Sequence, residues 1–370
     1  MRCRLLVCVI AVACSSKSPS QSTDGGAGGS GDAGASGGDA GASTGVLPAG
    51  WLYTQGATIY EADGHGSGAQ WMGRGVNVDD IFLCGFNNTL YLPTPDQTLD
   101  AEIAGLMSGW KPTFVRISLG MASYTTTVSW LAGSAQYSTP MTNVIQTIAG
   151  YPGVHVLVTL RSDASMIGQY MAADPEATGI PSDSTTTPNA TMFPTGTDAV
   201  YAALVDTFGS SGAVLFGITN EPGGNQQSNA TISAAMSHAV GVIRAEEDKL
   251  GVPHHVVSVQ GNSWTSEIGF YDTAPVAYDN VVYEVHGYPP PATSYTYQHI
   301  PVILGEYGDV DAGSAAAFFG DLETKQIPNL AWDFEEYSPC NPDLLTADGS
   351  DLQPSAWGQI VQSYLLTHAP

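Results

Sequence analysis

Val214-Leu-Phe-Gly-Ile-Thr-Asn-Glu-Pro222 is an apolar run that ends in polar residues, and this pattern recurs along the chain. Its apolar residues are nearly continuous, which is typical of a parallel strand that is covered on both faces. Eight short runs of similar character follow one another: Arg74–Val78, Thr113–Ser118, His155–Leu160, Val214–Thr219, His255–Gln260, Asn280–His286, Pro301–Gly305 and Asn329–Phe334. The sequence therefore predicts eight buried parallel strands.

Helical segments separate these strands. Ile232–Leu250 has apolar residues at helical spacing and stops at Gly251, a residue type that commonly ends helices. Ala199–Phe208 has the same helical character. Strands that alternate with helices in this way favour an α/β fold, a single (β/α)8 TIM barrel. A doubly wound open sheet is the alternative, but no Gly-rich phosphate-binding motif follows any strand, which counts against its nucleotide-binding form.

The amino terminus resembles an export signal. Arg2 and Arg4 precede the apolar run Leu5–Ala13, which is too short to span a bilayer but fits a signal peptide over residues 1–13. Cys14 follows directly, as in lipoproteins, where that cysteine is lipidated and becomes the first mature residue. We therefore expect an exported lipoprotein at the outer membrane or cell surface, held to the membrane only by its lipid. Plain secretion is the alternative.

Two further regions follow the signal peptide. Residues 14–50 are mostly Ser, Gly, Ala, Asp and Thr, so they cannot bury enough apolar surface to fold and are predicted to be a flexible, disordered linker. Residues 51–370 are predicted to form the barrel domain. This domain opens with a β-hairpin over Trp51–Met72 that turns at residues 63–66.

The charge composition argues against one class of partner. The chain has 35 acidic and 10 basic residues, for a formal net charge of −25. Phosphate binding requires clustered Lys and Arg, so nucleic acid is not expected to bind.

We expect a monomer that needs no cofactor. No catalytic metal is expected either, because the adjacent His254 and His255 would point to opposite faces of a strand and no third ligand is evident.

Polar side chains follow several of the predicted strands and should meet at one mouth of the barrel, where this fold carries its reacting groups. Two carboxyl groups there would suit hydrolysis of a glycosidic bond, in which one protonates the leaving oxygen and the other attacks or activates water. A nearby Arg favours ionisation of the attacking carboxylate, and Trp offers a flat apolar face to a sugar. The residues are Arg116, Asn220, Glu221, His286, Tyr288, Glu306 and Trp332.

The order of these motifs resembles glycoside hydrolase family 5 over residues 51 to about 365. The matching segments also include one after the fifth strand, where the family carries a sugar-stacking Trp. They are Arg74-Gly-Val-Asn77, Phe114-Val-Arg-Ile117, Asn220-Glu-Pro222, Gln260-Gly-Asn-Ser-Trp264, His286-Gly-Tyr288, Leu304-Gly-Glu-Tyr-Gly308 and Ala331-Trp-Asp-Phe334.

The resemblance implies a role for each residue. Glu221 would be the acid/base and Glu306 the nucleophile of a retaining enzyme. The remaining roles are binding ones: Arg116 and Tyr288 would hold Glu306, Asn220 would bind the sugar 2-hydroxyl, His286 and Trp332 would line the subsite of the cleaved sugar, and Trp264 would stack on a sugar.

The resemblance also implies a substrate. Cleavage of β-1,4-glucan at internal bonds (endo action), as by a cellulase, is favoured. β-Mannan, xylan and other β-glycans are the alternatives. A rival function from another class is a surface glycan-binding protein without catalysis. The third strand departs from the family pattern, since Thr159-Leu-Arg161 stands where Asp-x-His is usual. Arg161 either reaches the site in place of that His or bonds Asp163 structurally.

Cys84 and Cys340 are predicted to form a disulfide. Signal cleavage and lipidation leave these two cysteines in the barrel domain, and an exported protein folds in an oxidising compartment. Each follows the end of a predicted strand by six residues, Val78 and Phe334 respectively, and the first and last strands of a closed barrel are neighbours. Two unpaired cysteines are the alternative.

Overall fold

Strands and helices alternate along the protein. The computed structural model describes residues 45–78, 95–120, 135–161, 197–222, 228–288, 297–334, 342–346 and 352–370, all within the compact unit Gly41–Pro370. The strands are β1 Leu52–Gln55, β2 Thr58–Ala62, β3 Gly68–Gln70, β4 Arg74–Val78, β5 Phe114–Gly120, β6 His155–Arg161, β7 Val214–Gly217, β8 Val257–Gln260, β9 Val281–Gly287, β10 Val302–Tyr307 and β11 Asn329–Ala331. The helices are α1 Pro95–Gly109, α2 Ala135–Ala149, α3 Thr197–Phe208, α4 Asn229–Leu250, α5 Ala312–Lys325 and α6 Ala356–Thr367.

β4 to β11 form a closed barrel of parallel strands in chain order, and β11 pairs with β4 to complete the ring. The predicted (β/α)8 barrel is therefore confirmed. The predicted strands agree with the observed ones to within a few residues, and the last is shorter than predicted because β11 ends at Ala331. The connection from β8 to β9 contains a short 3-10 helix, Gly269–Asp272.

The segment before the barrel has one strand more than the predicted hairpin. β1, β2 and β3 form a three-stranded antiparallel sheet. The predicted turn at residues 63–66 joins β2 to β3, and the Asp63 carboxylate accepts hydrogen bonds there from the backbone N–H groups of His65 and Ser67. A second tight turn joins β1 to β2, where Gly56 adopts a left-handed φ of 59° that glycine tolerates without steric cost.

This small sheet covers the amino-terminal end of the barrel. Leu52, Ile59 and Trp71 pack against the first inward-facing apolar side chains of the barrel strands. The indole of Trp71 meets the ring of Phe114 edge to face, with 5.0 Å between ring centroids. The lower barrel interior is therefore an apolar plug, whose other members are Leu157, Leu215, Val256, Val282, Ile303 and Leu330.

We expect Trp71→Ala to lower the free energy of unfolding by about 3–5 kcal/mol, because it removes a buried indole from this plug and leaves a cavity. Urea unfolding followed by far-UV circular dichroism measures the change. Trp264→Ala serves as the matched control, since that indole is 40 % exposed. Equal losses of unfolding free energy in the two variants would contradict the contribution of Trp71 to the apolar plug.

A buried ionic cluster lies beside the same end of the barrel. Arg244 on α4 donates to Glu247 at 2.6 Å and to the backbone carbonyl of His255 at 3.0 Å. Glu247 also lies 2.8 Å from Nδ1 of His255. Burial opposes ionisation of Glu247, but the hydrogen bond from His255 and the charge of Arg244 outweigh it and lower its pKa. The cluster joins the end of α4 to the start of β8.

Several sequence predictions fall outside the described residues. These are the signal peptide, the lipidated Cys14, most of the linker and the Cys84–Cys340 disulfide, all of which stay predictions. The pairing of β4 with β11 is the strand arrangement that the disulfide prediction requires. Among the helices that the structure describes, none has the length and hydrophobicity needed to cross a membrane.

Candidate active site

Six of the predicted site residues lie together at the carboxyl-terminal mouth of the barrel. Parallel strands deliver them there: Arg116 is the third residue of β5, and the other five come from the end of a strand or the residues just after it. Glu306 on β10 is paired in register with His286 on β9. The group comprises Arg116, Asn220, Glu221, His286, Tyr288 and Glu306.

Glu306 is held on both of its carboxylate oxygens. Arg116 Nη1 donates to Oε1 at 2.8 Å, and the Tyr288 hydroxyl donates to Oε2 at 3.2 Å. A charge-assisted bond from a guanidinium favours the ionised carboxylate. Although Tyr288 as a whole is 47 % exposed, desolvation of its hydroxyl and the charge of Glu306 raise the pKa of Tyr288, so it remains a hydrogen-bond donor.

Arg116 organises the floor of the site. It is fully buried, and besides Glu306 it donates to the side-chain oxygens of Asn77 at 2.9 Å and Asn220 at 2.7 Å. Its Nε lies 3.0 Å from an oxygen of Glu284. The planar guanidinium, with its fixed fork of donors, thus sets the positions of two carboxylates and two amides at once.

Glu221 has a constrained backbone. Its φ of 47° lies in the left-handed region, which is uncommon for residues other than glycine and marks local strain. The N–H of Glu221 donates to Oε1 of the buried Gln260 at 2.6 Å. On the side chain, Oε1 of Glu221 lies 2.8 Å from Nδ1 of His286. Backbone and side chain are both anchored.

His286 lies between carboxylates. Nδ1 faces Glu221, and it also lies 3.5 Å from Oε2 of Glu306. Nε2 lies 2.9 Å from Oε1 of Glu284. Burial disfavours the imidazolium, but the charge of Glu306 and the bonds to Glu221 and Glu284 outweigh it and raise the pKa of His286 to about 9.

The two predicted catalytic carboxyl groups are close together. One oxygen of Glu221, one oxygen of Glu306 and one nitrogen of His286 all lie within 4.8 Å of one another. Such a trio offers donor atoms of the kind that metals take. However, metal binding requires a deprotonated imidazole, and the raised pKa of His286 disfavours that form. The close approach of the two carboxyl groups also suits nucleophilic attack by one and proton transfer by the other.

Trp264 lies at the same mouth on an unusual turn. Ser263, Trp264 and Thr265 all have φ between 52° and 61°, a run of left-handed residues that costs energy at each position. The hydroxyl of Thr265 donates to the same Oε1 of Gln260 that holds Glu221, at 3.1 Å. The turn leaves Trp264 40 % exposed, as a sugar-stacking residue requires.

Two further predictions concern Trp332 and Arg161. Trp332 is 4 % exposed, and its backbone carbonyl accepts a hydrogen bond from the Trp357 indole at 2.9 Å. Its contact with a sugar therefore stays a prediction. Arg161 is the last residue of β6, opposite Gly120 on β5, so its backbone lies at the mouth and its two alternative roles stay open.

Sequence reasoning missed two residues of this site. Glu284 is fully buried and binds Arg116 and His286, and Gln260 positions Glu221. A signal for Glu284 was present, because side chains two apart on a strand share a face and Glu284 precedes His286 by two. Gln260 ends a strand, like the residues that were found.

The family follows from a sequence comparison. The family model described as Cellulase (glycosyl hydrolase family 5) matches residues 79–338, a range that contains the six predicted residues grouped at the mouth. The chain belongs to glycosyl hydrolase family 5. Membership of family 5 makes it a β-glycanase, and the resemblance seen in the motifs is thereby confirmed. No curated protein sequence matches the chain significantly.

Solved structures share the family 5 barrel. The catalytic domain of a Thermobifida fusca endoglucanase in complex with cellotetraose aligns with a TM-score of 0.61 at 17% identity, over 86% of this chain and 97% of that chain. A Saccharophagus degradans β-glucanase, also with cellotetraose, gives 0.61 at 14%, over 88% and 95%. A Streptomyces sp. SirexAA-E mannanase domain gives 0.56 at 17%, over 88% and 91%. At these identities the likeness is one of fold.

Proposed function

We propose that this family 5 hydrolase cleaves β-1,4-glucan at internal bonds by double displacement, with Glu306 as nucleophile and Glu221 as acid/base. The observation that carries the proposal is the approach of the two carboxyl groups, whose oxygens lie within 4.8 Å. Retaining glycosidases place their carboxyl groups about 5–5.5 Å apart, and inverting ones about 6.5–9.5 Å apart. The close approach therefore favours direct attack by a carboxylate over attack by a water held between the two groups.

The environments of the two carboxyl groups support the assignment of roles. The Glu306 side chain is 5% exposed and bound by Arg116, which favours a fixed, ionised nucleophile. The Glu221 side chain is 20% exposed and bound to His286. Greater exposure suits the acid/base, because it must exchange its proton first with the leaving oxygen and then with an incoming water.

Two displacements complete the reaction. Glu306 attacks the anomeric carbon, the glycosidic bond breaks, and the leaving oxygen takes the proton of Glu221. Glu221 then removes a proton from water, which attacks the same carbon and releases Glu306. Asn220, whose Oδ1 is bound by Arg116, has its Nδ2 left to donate to the sugar 2-hydroxyl.

The structural neighbours support β-1,4-glucan, since an endoglucanase and a β-glucanase of this fold were each solved with cellotetraose. β-Mannan is the second candidate, because a mannanase shares the fold as well. Reducing-sugar release from carboxymethyl cellulose, mixed-linkage β-glucan, galactomannan and xylan decides between them, and a fall in viscosity ahead of sugar release marks internal cleavage. Preference for galactomannan would move the proposal to mannan. Binding without hydrolysis would favour a glycan-binding protein.

We expect the first-formed product of a β-linked substrate to be the β-anomer, since two inversions at one carbon restore its configuration. Proton NMR within the first minutes, before mutarotation, measures this directly. Cellotetraose is a suitable substrate because the α and β anomers of a reducing end give separate signals, whose growth can be measured above those of the substrate's own reducing end. An α-anomer would contradict the double displacement, although it would leave β-glycanase activity itself intact.

We also propose that the enzyme works outside the cytoplasm on a lipid anchor. The basic residues, apolar run and Cys14 at the start of the chain support this, together with the Gly- and Ser-rich stretch that follows. Expression with labelled palmitate should label the wild type and leave Cys14→Ser unlabelled. Release of an active, unlabelled wild-type enzyme into the medium would favour plain secretion.

A further inference from the structure

A third carboxylate lies directly beneath the two proposed for catalysis. Glu284 has no exposed surface, and its oxygens meet Arg116 Nε at 3.0 Å, His286 Nε2 at 2.9 Å and the Ser258 hydroxyl at 2.8 Å. Buried charges are rare unless they are paired and hydrogen-bonded, and Glu284 is both. Its partners include two groups of the active site, which distinguishes it from a merely structural ion pair.

The barrel is shaped to admit this carboxylate. Gly305 precedes Glu306 on β10, and a Cβ atom built at that position would lie 2.1 Å from Oε1 of Glu284. Any other residue at 305 would therefore displace the carboxylate or the backbone next to Glu306. The glycine before the proposed nucleophile thus makes the space in which Glu284 reaches His286.

Glu284 fixes the proton arrangement of the His286 ring. Burial opposes ionisation of Glu284, but the charge of Arg116 and the bonds from His286 and Ser258 outweigh it and lower its pKa to about 2. An ionised carboxylate can only accept hydrogen bonds, so the nitrogen that faces it must carry a proton. That nitrogen is Nε2, which leaves the Nδ1 side of the ring facing Glu221.

We propose that Glu284 is a positioning residue for the acid/base, because it holds a proton on Nε2 of His286 and thereby commits Nδ1 of that ring to Glu221. This inference rests on the proposed role of Glu221. Glu284 does not touch the substrate. It acts through His286, as the second partner of an imidazole commonly fixes the tautomer and orientation of the ring.

The same arrangement predicts a pH effect. Three carboxylates face His286: Glu221 after β7, Glu284 on the same strand and Glu306 on β10. Arg116 on β5 and Tyr288 after β9 are the other ionisable groups nearby, and each binds one of these carboxylates. The neutral Gln260 faces the ring from β8. A negative charge raises the proton affinity of a neighbouring site. Glu284 therefore helps to raise the pKa of His286, the ring whose Nδ1 faces Glu221.

Glu284→Gln tests this by removing the charge from an isosteric side chain. We expect the alkaline limb of kcat/KM against pH, measured on 4-nitrophenyl β-cellobioside, to move to lower pH by about one unit or more. Glu284→Asp, which restores the charge, should return the limb part of the way. Glu247→Gln is the matched control, since it is equally buried and paired with an Arg and a His at the other end of the barrel. An unmoved limb in Glu284→Gln, with the fold intact, would overturn the proposal.

Nitrogen NMR of histidine-labelled protein without substrate gives a readout independent of activity. The imidazole signals that disappear from the spectrum of His286→Asn are those of His286. In the wild type above the His286 pKa of about 9, where the ring is neutral, the remaining proton should be on Nε2, and in Glu284→Gln the ring should titrate at lower pH. An unprotonated Nε2 in the wild type would overturn the proposal even if Glu284→Gln does not fold. If the NMR results hold and no β-glycan is hydrolysed, the proposed function fails and the role of Glu284 in fixing the ring stands.

Discussion

Glu306→Gln is expected to reduce kcat/KM on β-1,4-glucan by more than about 10⁴-fold, the scale of loss when a group that forms the covalent intermediate is removed. The amide keeps the size of the carboxylate but carries no negative charge, so it cannot attack the anomeric carbon. Within the described residues, the neighbouring carboxylates cannot replace it as nucleophile, because Glu221 is bound to His286 and Glu284 is bound to Arg116.

Initial rates on carboxymethyl cellulose and on 4-nitrophenyl β-cellobioside measure the loss. Circular dichroism and the unfolding midpoint check that the variant is folded. Glu267→Gln is the matched control, because that carboxylate is exposed in the Trp264 turn and should leave the rate within about twofold. A Glu306→Gln enzyme that keeps a few per cent of wild-type activity would contradict its role as nucleophile.

The barrel was predictable because its strands are buried on both faces. That burial makes each strand a nearly continuous apolar run, so β4, β5 and β9 could be located to within a residue or two. Glu221 and Glu306 followed from topology, since the carboxyl ends of parallel strands converge on one mouth. The turn between β1 and β2 was missed because only Gly56 marks it, and a single glycine is a weak turn signal.

Properties that depend on distant side chains were not predictable. Glu284 lies inside a strand on the same face as His286, but a carboxylate there is stable only because Arg116 of β5 also meets it, and the sequence does not show that Arg116 is adjacent. Trp332 directly follows β11, but its exposure depends on what packs over the ring. The position of a residue at the end of a strand can be predicted from the sequence, but the exposure of its side chain to solvent cannot.

Replacement of the acid/base should produce a loss that depends on the leaving group. Glu221→Ala removes the proton donor, which contributes about 10²–10⁴-fold in general acid catalysis. We expect a loss of that size on cellotetraose, whose sugar alcohol leaves poorly without protonation. A 2,4-dinitrophenyl β-cellobioside should form the glycosyl-enzyme almost normally, because its phenolate leaves without a proton, and the intermediate should then accumulate as a burst.

Azide separates the two roles, because it attacks without base assistance. With Glu221→Ala it should accelerate breakdown of the intermediate on Glu306 and yield the β-glycosyl azide, the product of a second inversion. With Glu306→Ala it can only replace the nucleophile, so a single displacement should give the α-glycosyl azide. Proton NMR of the two products reads the configurations. The carboxylate that remains in each variant determines whether the anomeric carbon is inverted once or twice. A β-azide from the Glu306 variant together with an α-azide from the Glu221 variant would therefore reverse the assignment of the two roles.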